Sequence, residues 1–78
     1  MEPEKFIDNF AAIFDETDPS NLNMETSFRD IDEWSSLTAL GLLAMVEEEY
    51  NVRLNNQDIK GATTIRDLYK IIQKKQSV

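Results

Sequence analysis

The sequence predicts an all-α fold built from three longer helices and one short helix. Apolar residues recur at spacings of three and four in three separate segments, which is the period of one helix face. Turn-forming residues separate these segments. The chain has 78 residues, the size of one domain, so we expect residues 1–78 to form a single domain around one small core.

The first helix is expected over residues 3–14. Pro3 is tolerated in a first helical turn, and Glu2 and Glu4 suit the positive end of the helix dipole. The apolar residues of this segment form one stripe, which consists of Phe6, Ile7, Phe10, Ile13 and Phe14.

A long connection with turn chemistry is expected over residues 15–35. The helix must end before Pro19, because proline restricts the residue that precedes it. A connection of this length is uncommon in a compact domain and is most often functional. We expect Phe28 and Ile31 to hold it against the core and Trp34 to cover one end of the core.

The second helix is expected from Ser36 to Tyr50 or Asn51, with Ser35 as its N-cap. Its apolar face is expected to contain Leu37, Leu40, Leu43, Ala44, Val46 and Tyr50, with Leu42 and Met45 outside that stripe. Gly41 costs up to about 1 kcal/mol relative to alanine inside a helix, which indicates a position where a small side chain is needed.

A short polar stretch at residues 55–61 is expected to hold a single helical turn around Ile59. The last helix opens at Thr63-Thr64, where Thr64 followed by Asp67 is typical of a capping box. Its apolar face is expected to contain Ile65, Leu68, Tyr69, Ile71 and Ile72.

Composition disfavours several classes of function. The chain has no Cys and no His, so it lacks thiolate metal ligands and the commonest general base near neutral pH. A net charge of −7 disfavours nucleic acid as a partner. No segment approaches the about 20 apolar residues of a membrane span, and the acidic start is unlike a signal peptide, so we expect a cytoplasmic protein.

Charge is distributed unevenly along the chain. Residues 1–49 contain thirteen acids and two bases, whereas residues 50–78 contain two acids and six bases. Ordinary solvation explains surface charge in general, but this asymmetry indicates an acidic face that a basic partner could recognise. Glu47, Glu48 and Glu49 oppose the dipole at the end of their helix, an unfavourable local arrangement that points to function.

An enzyme site is hard to assemble from these residues. A nucleophilic serine would need Lys or a carboxylate as its base, and the spacing indicates no such pair. Asp30, Asp32 and Glu33 are close enough in sequence to ligate a hard cation. They lack the twelve-residue pattern with a central Gly that calcium loops use, so solvated charge is the preferred interpretation.

Ser35 and Ser36 stand where the long connection enters the second helix. One serine suffices as a cap, and Ser35 is in that position, which leaves Ser36 without a structural role. A serine at the first helical position lies near backbone N–H groups that favour anions, a suitable place for a phosphodiester. From the residues alone, capping is the simpler explanation of the pair, and covalent modification at Ser36 is the alternative.

The stretch around Ser36 resembles the attachment motif of acyl and peptidyl carrier proteins, whose usual form is Asp-Ser-Leu at the head of the second helix. Ser36-Leu37 matches the Ser-Leu, and Ser35 stands where Asp is usual. The resemblance covers nearly the whole chain and is weakest over residues 15–30. Its other elements are Glu47-Glu48-Glu49-Tyr50, similar to the Glu-Glu-Glu-Phe of bacterial acyl carrier proteins, the opening Thr63-Thr64-Ile65 of the last helix, and residues 55–61 in place of the short third helix.

The resemblance implies a four-helix bundle of the acyl-carrier type and a carrier that is not an enzyme. A phosphopantetheinyl transferase would move a 4′-phosphopantetheine arm from coenzyme A onto the Ser36 hydroxyl. Acyl or aminoacyl groups would then travel as thioesters on the thiol of the arm. The base and the magnesium ion would belong to the transferase, so no metal site is expected in this chain.

The same resemblance makes the second helix the recognition helix, which docks on basic patches of loading and condensing enzymes. The residues expected to make this contact are Leu37, Met45, Glu47 and Glu48. Leu37 has an alternative position in the core. We expect the chain to act as a monomer.

The pathway is less constrained by the sequence. In housekeeping fatty-acid carriers, acids usually occupy the positions of Ser35, Thr38 and Gly41. Their neutrality here implies a dedicated carrier of a specialised lipid or secondary-metabolite pathway. The cargo, and the choice among fatty-acid, polyketide and peptide synthesis, stay open. The alternative function is a small acidic helical interaction module without a prosthetic group.

Overall fold

The computed structural model describes residues 2–76, and every regular element in that range is helical, as expected. Four α-helices follow one another along the chain, and two 3₁₀ turns, Pro19–Asn21 and Phe28–Asp30, lie in the first connection. The α-helices are α1 (Pro3–Ala11), α2 (Ser36–Tyr50), α3 (Asn56–Lys60) and α4 (Ile65–Gln76).

Helix α1 ends three residues earlier than the apolar stripe predicted. The amides of Ile13 and Phe14 bond to carbonyls three residues back, both at 3.1 Å, so the chain tightens before it leaves the helix. Phe14 is nevertheless buried, together with Phe6 and Phe10. The stripe was therefore predicted correctly, and the helix boundary was not.

Aromatic side chains form the centre of the core. Phe10 contacts both Phe14 and Phe28, with ring centroids 5.6 and 6.4 Å apart. Trp34 meets Phe28 edge-on at 4.9 Å and lies beside Phe14 at 6.5 Å. Trp34 thus covers one end of the core, as predicted, and Phe28 holds the first connection in place. Each fully buried Phe contributes roughly 1.5–3 kcal/mol through burial.

The predicted apolar face of α2 is only partly correct: it included Val46, which is buried, but omitted Leu42. The side chains that α2 buries completely are Leu42 and Val46, whereas Leu37 is 77% exposed and Leu40 is 61% exposed. Ala44 is also exposed. The alternative position of Leu37 in the core is wrong, because its side chain is exposed. The reason is that apolar residues surround most of the helix, and periodicity alone does not identify which of them face the core.

Gly41 lies where α2 approaches Ile13, two residues beyond the end of α1. A β-carbon at this position would stand 2.9 Å from the Cγ2 atom of Ile13, which is closer than such atoms pack. The expected need for a small side chain is therefore confirmed. Further along the same pair of helices, the Asn9 side chain donates to the Tyr50 hydroxyl at 2.9 Å, and partial burial raises the pKa of Tyr50.

Capping boxes begin both of the later helices. In α4, the amide of Asp67 donates to the Thr64 hydroxyl at 3.2 Å, and the Asp67 carboxylate accepts from the Thr64 amide at 3.0 Å, as predicted. The backbone N–H groups of Thr64 and Thr63 lower the pKa of Asp67. In α3, Asn55 and Asp58 make the same reciprocal pair, and the expected turn around Ile59 is confirmed.

The first connection is fastened to the second half of the chain by main-chain bonds. The amide of Ile65 donates to the Thr26 carbonyl at 3.0 Å, and the amide of Arg66 donates to the Met24 carbonyl at 2.8 Å. Arg29 donates to the carbonyls of Ile59 and Lys60, which are the last of α3, at 2.7 and 3.1 Å. These bonds hold the long connection over the core.

Replacing Gly41 by alanine should destabilise the protein although alanine favours helix. The helix gains up to about 1 kcal/mol, but forcing the new methyl group against Ile13 costs roughly 1–3 kcal/mol. In an Ile13→Ala background the same Gly41→Ala change should become stabilising, because the opposing Cγ2 atom is gone. Urea unfolding of the four proteins of this double-mutant cycle measures the coupling. Additive effects would show that the two residues do not press on each other.

Candidate functional site

A capping box fixes the point where the long connection becomes α2. Ser35 is extended, and its hydroxyl accepts from the Thr38 amide at 3.3 Å, as expected of the N-cap. The Thr38 hydroxyl in turn accepts from the Ser35 amide at 2.7 Å. Thr38 was not expected to take part. Its position three residues after the cap was the available signal, although Glu or Gln is the usual partner there.

Ser36 is the first residue of α2 and is exposed. Its hydroxyl bonds to no residue between positions 2 and 76. The backbone amides of Ser36 and Leu37 have no helical acceptor, since the first amides of any helix lack one. The first turn of α2 also contains no acidic residue.

These features fit a phosphodiester on Ser36. The nucleophilic oxygen faces solvent, the free amides and the helix dipole favour negative charge, and no carboxylate of the first turn opposes it. Because Ser35 provides the cap, modification of Ser36 breaks no hydrogen bond of the described chain.

Glu33, three residues before Ser36, fastens the start of the long connection. Its carboxylate accepts from the amides of Asp15 and Glu16, each at 3.1 Å, and from the Thr17 hydroxyl. The Thr17 bond is the main cause that lowers the pKa of Glu33, and the backbone N–H groups add to it. Sequence reasoning did not find this role, because nothing in the sequence links position 33 to positions 15–17.

The divalent-cation alternative is not supported by the part of the chain that the structure describes. The oxygens of Glu33 are engaged by backbone N–H groups and by Thr17. Among residues 2–76, no group of three or more carboxylates is placed to hold a metal ion. Asp30 and Asp32 are exposed, as expected of solvated charge.

The outer surface of α2 consists of two adjacent stripes. The attachment stripe contains Ser36, Leu40, Leu43 and Glu47, and the groove stripe contains Leu37, Gly41, Ala44 and Glu48. Both stripes advance in steps of four, three and four residues, so each points in one direction from the helix.

The expected recognition residues are divided between these stripes. Leu37 and Glu48 lie exposed on the groove stripe, and Glu47 lies exposed on the attachment stripe. Met45 is half-buried against the core, so its expected exposure was overstated. Glu47 contacts Arg53 at 3.4 Å in a solvent-exposed pair, which contributes little stability. Glu48 forms no ion pair with any described residue.

Comparison with known proteins identifies the class to which this fold and site belong. Residues 4–72 match the family model described as the phosphopantetheine attachment site. The chain therefore belongs to the phosphopantetheine-attachment family of carrier proteins, which are not enzymes. The expected cofactor, covalent 4′-phosphopantetheine, is the group that this family carries.

The chain is similar to several acyl carrier proteins. The chain is 31% identical over 74 residues to the meromycolate extension acyl carrier protein of Mycobacterium tuberculosis (strain ATCC 25618 / H37Rv), covering 91% of this chain and 64% of that protein. It thus spans less than two thirds of that relative. It is similar, also at 31% over 74 residues, to the meromycolate extension acyl carrier protein of Mycolicibacterium smegmatis, of which it covers 75%. An acyl carrier protein of Rhodococcus erythropolis is 28% identical over 74 residues and is 81% covered.

None of the helices within residues 2–76 is long and apolar enough to span a membrane.

Glu33→Gln should reduce stability at neutral pH, because an amide is a weaker acceptor for the N–H groups of residues 15–17. The folded-state pKa of Glu33 is lowered, so its contribution is fully present above the unfolded value, for which 4.5 is the reference, and is lost as pH falls through the folded pKa. The difference in free energy of unfolding between the wild type and Glu33→Gln should therefore be largest above pH 4.5 and become smaller below it. Urea unfolding across this pH range measures it.

The matched control is Asp32→Asn, which neutralises an exposed acid that makes no hydrogen bond to a described residue. We expect this variant to follow the wild type more closely at every pH. An equal, pH-independent loss of stability in both variants would contradict a stabilising role for the hydrogen bonds that Glu33 accepts from residues 15–17.

Proposed function

We propose that residues 1–78 form a single acyl carrier domain that holds its 4′-phosphopantetheine arm on Ser36. The observation that carries this proposal is that Ser35 and Ser36 have different roles at the start of α2. Ser35 accepts the capping bond from Thr38, and Ser36 presents an unbonded hydroxyl beside the free amides of α2. The motif Ser36-Leu37 and the family match support the same position.

The residues of the chain position the arm and perform no catalysis. The arm, once attached, supplies the thiol that holds acyl or related groups as thioesters. The exposed Ser36 hydroxyl is reachable from outside, and the Ser36 and Leu37 amides stabilise the negative charge placed next to them. A phosphopantetheinyl transferase supplies the base that removes the hydroxyl proton. The alternative, an interaction module without a prosthetic group, loses its support because the family is defined by that attachment.

Recognition by partner enzymes falls to α2. Glu47, Glu48 and the exposed Leu37 face solvent, and Met45 offers part of its surface beside them. Loading and condensing enzymes bind this surface through basic patches. Complementary charge accelerates encounter and sets orientation more than it adds affinity, which suits a carrier that must also leave.

A dedicated lipid pathway is the proposed setting. The names of six relatives assign them to meromycolate extension, which supports a carrier reserved for one kind of acyl-chain extension. The cytoplasmic location, the monomeric state and the absence of a nucleic-acid partner stay predictions.

Ser36→Ala should abolish the gain of one phosphopantetheine when the protein is incubated with a broad-specificity transferase and coenzyme A. Its circular dichroism should stay helical, since the Ser36 hydroxyl makes no bond within the described chain. Ser35→Ala should keep the mass gain and lose about 0.5–2 kcal/mol of stability with the cap. Intact mass spectrometry and urea unfolding measure the two effects. Modification that survives Ser36→Ala and disappears in Ser35→Ala would shift the attachment site by one residue.

Glu47→Lys combined with Glu48→Lys should raise the KM of the transferase for the carrier without unfolding the domain. The wild-type rate should also slow with salt, because the Debye length falls from about 10 Å at 0.1 M to about 3 Å at 1 M. Both measurements are initial rates of mass gain.

Asp30→Lys combined with Asp32→Lys provides the control for total charge. It changes the net charge by the same amount at exposed acids that lie outside α2. Equal effects of the two double variants would mean that overall charge, and not the end of α2, governs docking.

A further inference from the structure

An open groove runs between α2 and the segment formed by the end of α1 and residues 12–15. It consists of two adjoining depressions of about 430 and 250 Å³, both lined by Ile13 and Gly41. The larger one begins beside the attachment site and is also lined by Ser35, Leu37 and Thr38. The smaller one continues toward the end of α2 and is also lined by Ala12, Ala44, Met45 and Glu48. We call these two depressions the α1–α2 groove.

Gly41 creates the floor of this groove. A side chain at position 41 would press on Ile13 and would also fill the space between the two depressions. Leu37, 77% exposed, forms an apolar margin at the end nearer Ser36. An apolar side chain placed in the groove would cover surface that now faces water, which is favourable by about 25 cal/mol per Å².

The charge around the α1–α2 groove selects the kind of occupant. No Lys or Arg occurs in residues 6–28 or 30–52, so α1 beyond its first turn and all of α2 lack a base. Glu48 stands at one end of the groove and Asp15 at the other, both exposed. A basic protein surface complements this arrangement, whereas the same groove of a second copy would place acid against acid.

Docking at this groove leaves the attachment serine accessible. Ser36 and Glu48 are twelve residues apart, and at about 100° per residue their side chains point about 120° apart around the axis of α2. Leu37, Gly41 and Glu48 therefore face the seam with α1, while Ser36 faces the other side. A partner that binds the groove can reach over the start of α2 to Ser36.

We propose that partner enzymes dock on the α1–α2 groove by inserting an apolar side chain over Gly41 and pairing a Lys or Arg with Glu48. The end of α1 and the residues that follow it thereby become one wall of the docking surface, and Ala12, the C-cap of α1, becomes a specificity-determining position. This inference rests on the proposed carrier function, because it assumes a partner that must act at Ser36.

The test fills the groove from the α1 side, without changing α2. Ala12 is exposed and has right-handed helical backbone angles, so Ala12→Arg is compatible with the fold. The new side chain obstructs the groove and repels a basic partner. With a broad-specificity transferase and coenzyme A, we expect the KM for the carrier to rise about fivefold or more while kcat changes less than about twofold.

The matched control is Asn21→Arg, which adds the same charge at an exposed position in the first connection, away from the groove. Its kinetics should stay close to those of the wild type. As an independent readout, ¹⁵N-labelled Ser36→Ala protein is titrated with the transferase, and the amide signals of Ala12 and Ala44 should shift in the NMR spectrum.

The outcomes separate this proposal from the one on which it rests. If Ser36 is modified normally but Ala12→Arg behaves like Asn21→Arg and the shifts stay on the attachment stripe, the groove proposal is overturned and the carrier function stands. If the wild-type protein gains no phosphopantetheine, the carrier function fails and the groove proposal fails with it.

Discussion

The close approach of Ile13, two residues beyond the end of α1, to Gly41 of α2 is the constraint on which the rest of the structure depends. A β-carbon at position 41 would stand 2.9 Å from the Cγ2 atom of Ile13, so this face of α2 packs against Ile13 only because it has no side chain there. Leu42, the next residue, then points about 100° further round into the core, and Ser36, five residues earlier, points about 140° away from the seam. Ser36, the proposed attachment serine, is therefore exposed on the side of α2 that points away from this packing.

The capping box at the start of α2 leaves the exposed Ser36 hydroxyl available for modification. Ser35 and Thr38 satisfy each other's backbone amides, so the helix start does not require the Ser36 hydroxyl. Phe28 and Glu33 hold the preceding connection to the core and to residues 15–17, which keeps this start well defined. A flexible arm is positioned best when the backbone at its point of attachment is rigid. In this chain the start of α2 is held by hydrogen bonds that modification of Ser36 would leave intact.

The helices most readily predicted from the sequence were the amphipathic ones, in which a polar face is clearly distinct from an apolar face. The stripes of α1 and α4 and the Thr64–Asp67 cap could be read directly from spacing. The core face of α2 could not be, because Leu37 and Leu40 are as apolar as the buried Leu42 and Val46. The role of Glu33 was also beyond reach, since it bonds to residues 16 to 18 positions away. Ser36 was singled out because Ser35 already explained the cap and because Ser36-Leu37 resembles the attachment motif of acyl and peptidyl carrier proteins.

The neutral residues at the start of α2 have structural reasons that the sequence did not reveal. Ser35 and Thr38 form the cap, and Gly41 admits Ile13, so missing acids at these positions do not by themselves indicate a specialised pathway. Because these positions are neutral, the acidic charge of α2 is confined to its end. Charge there speeds encounter with a basic enzyme and sets its orientation. Discrimination is a difference between affinities and needs contacts that one partner makes and another does not. In this chain the feature able to provide them is the shape of the surface around Gly41, where a carrier bearing a larger side chain would present no groove.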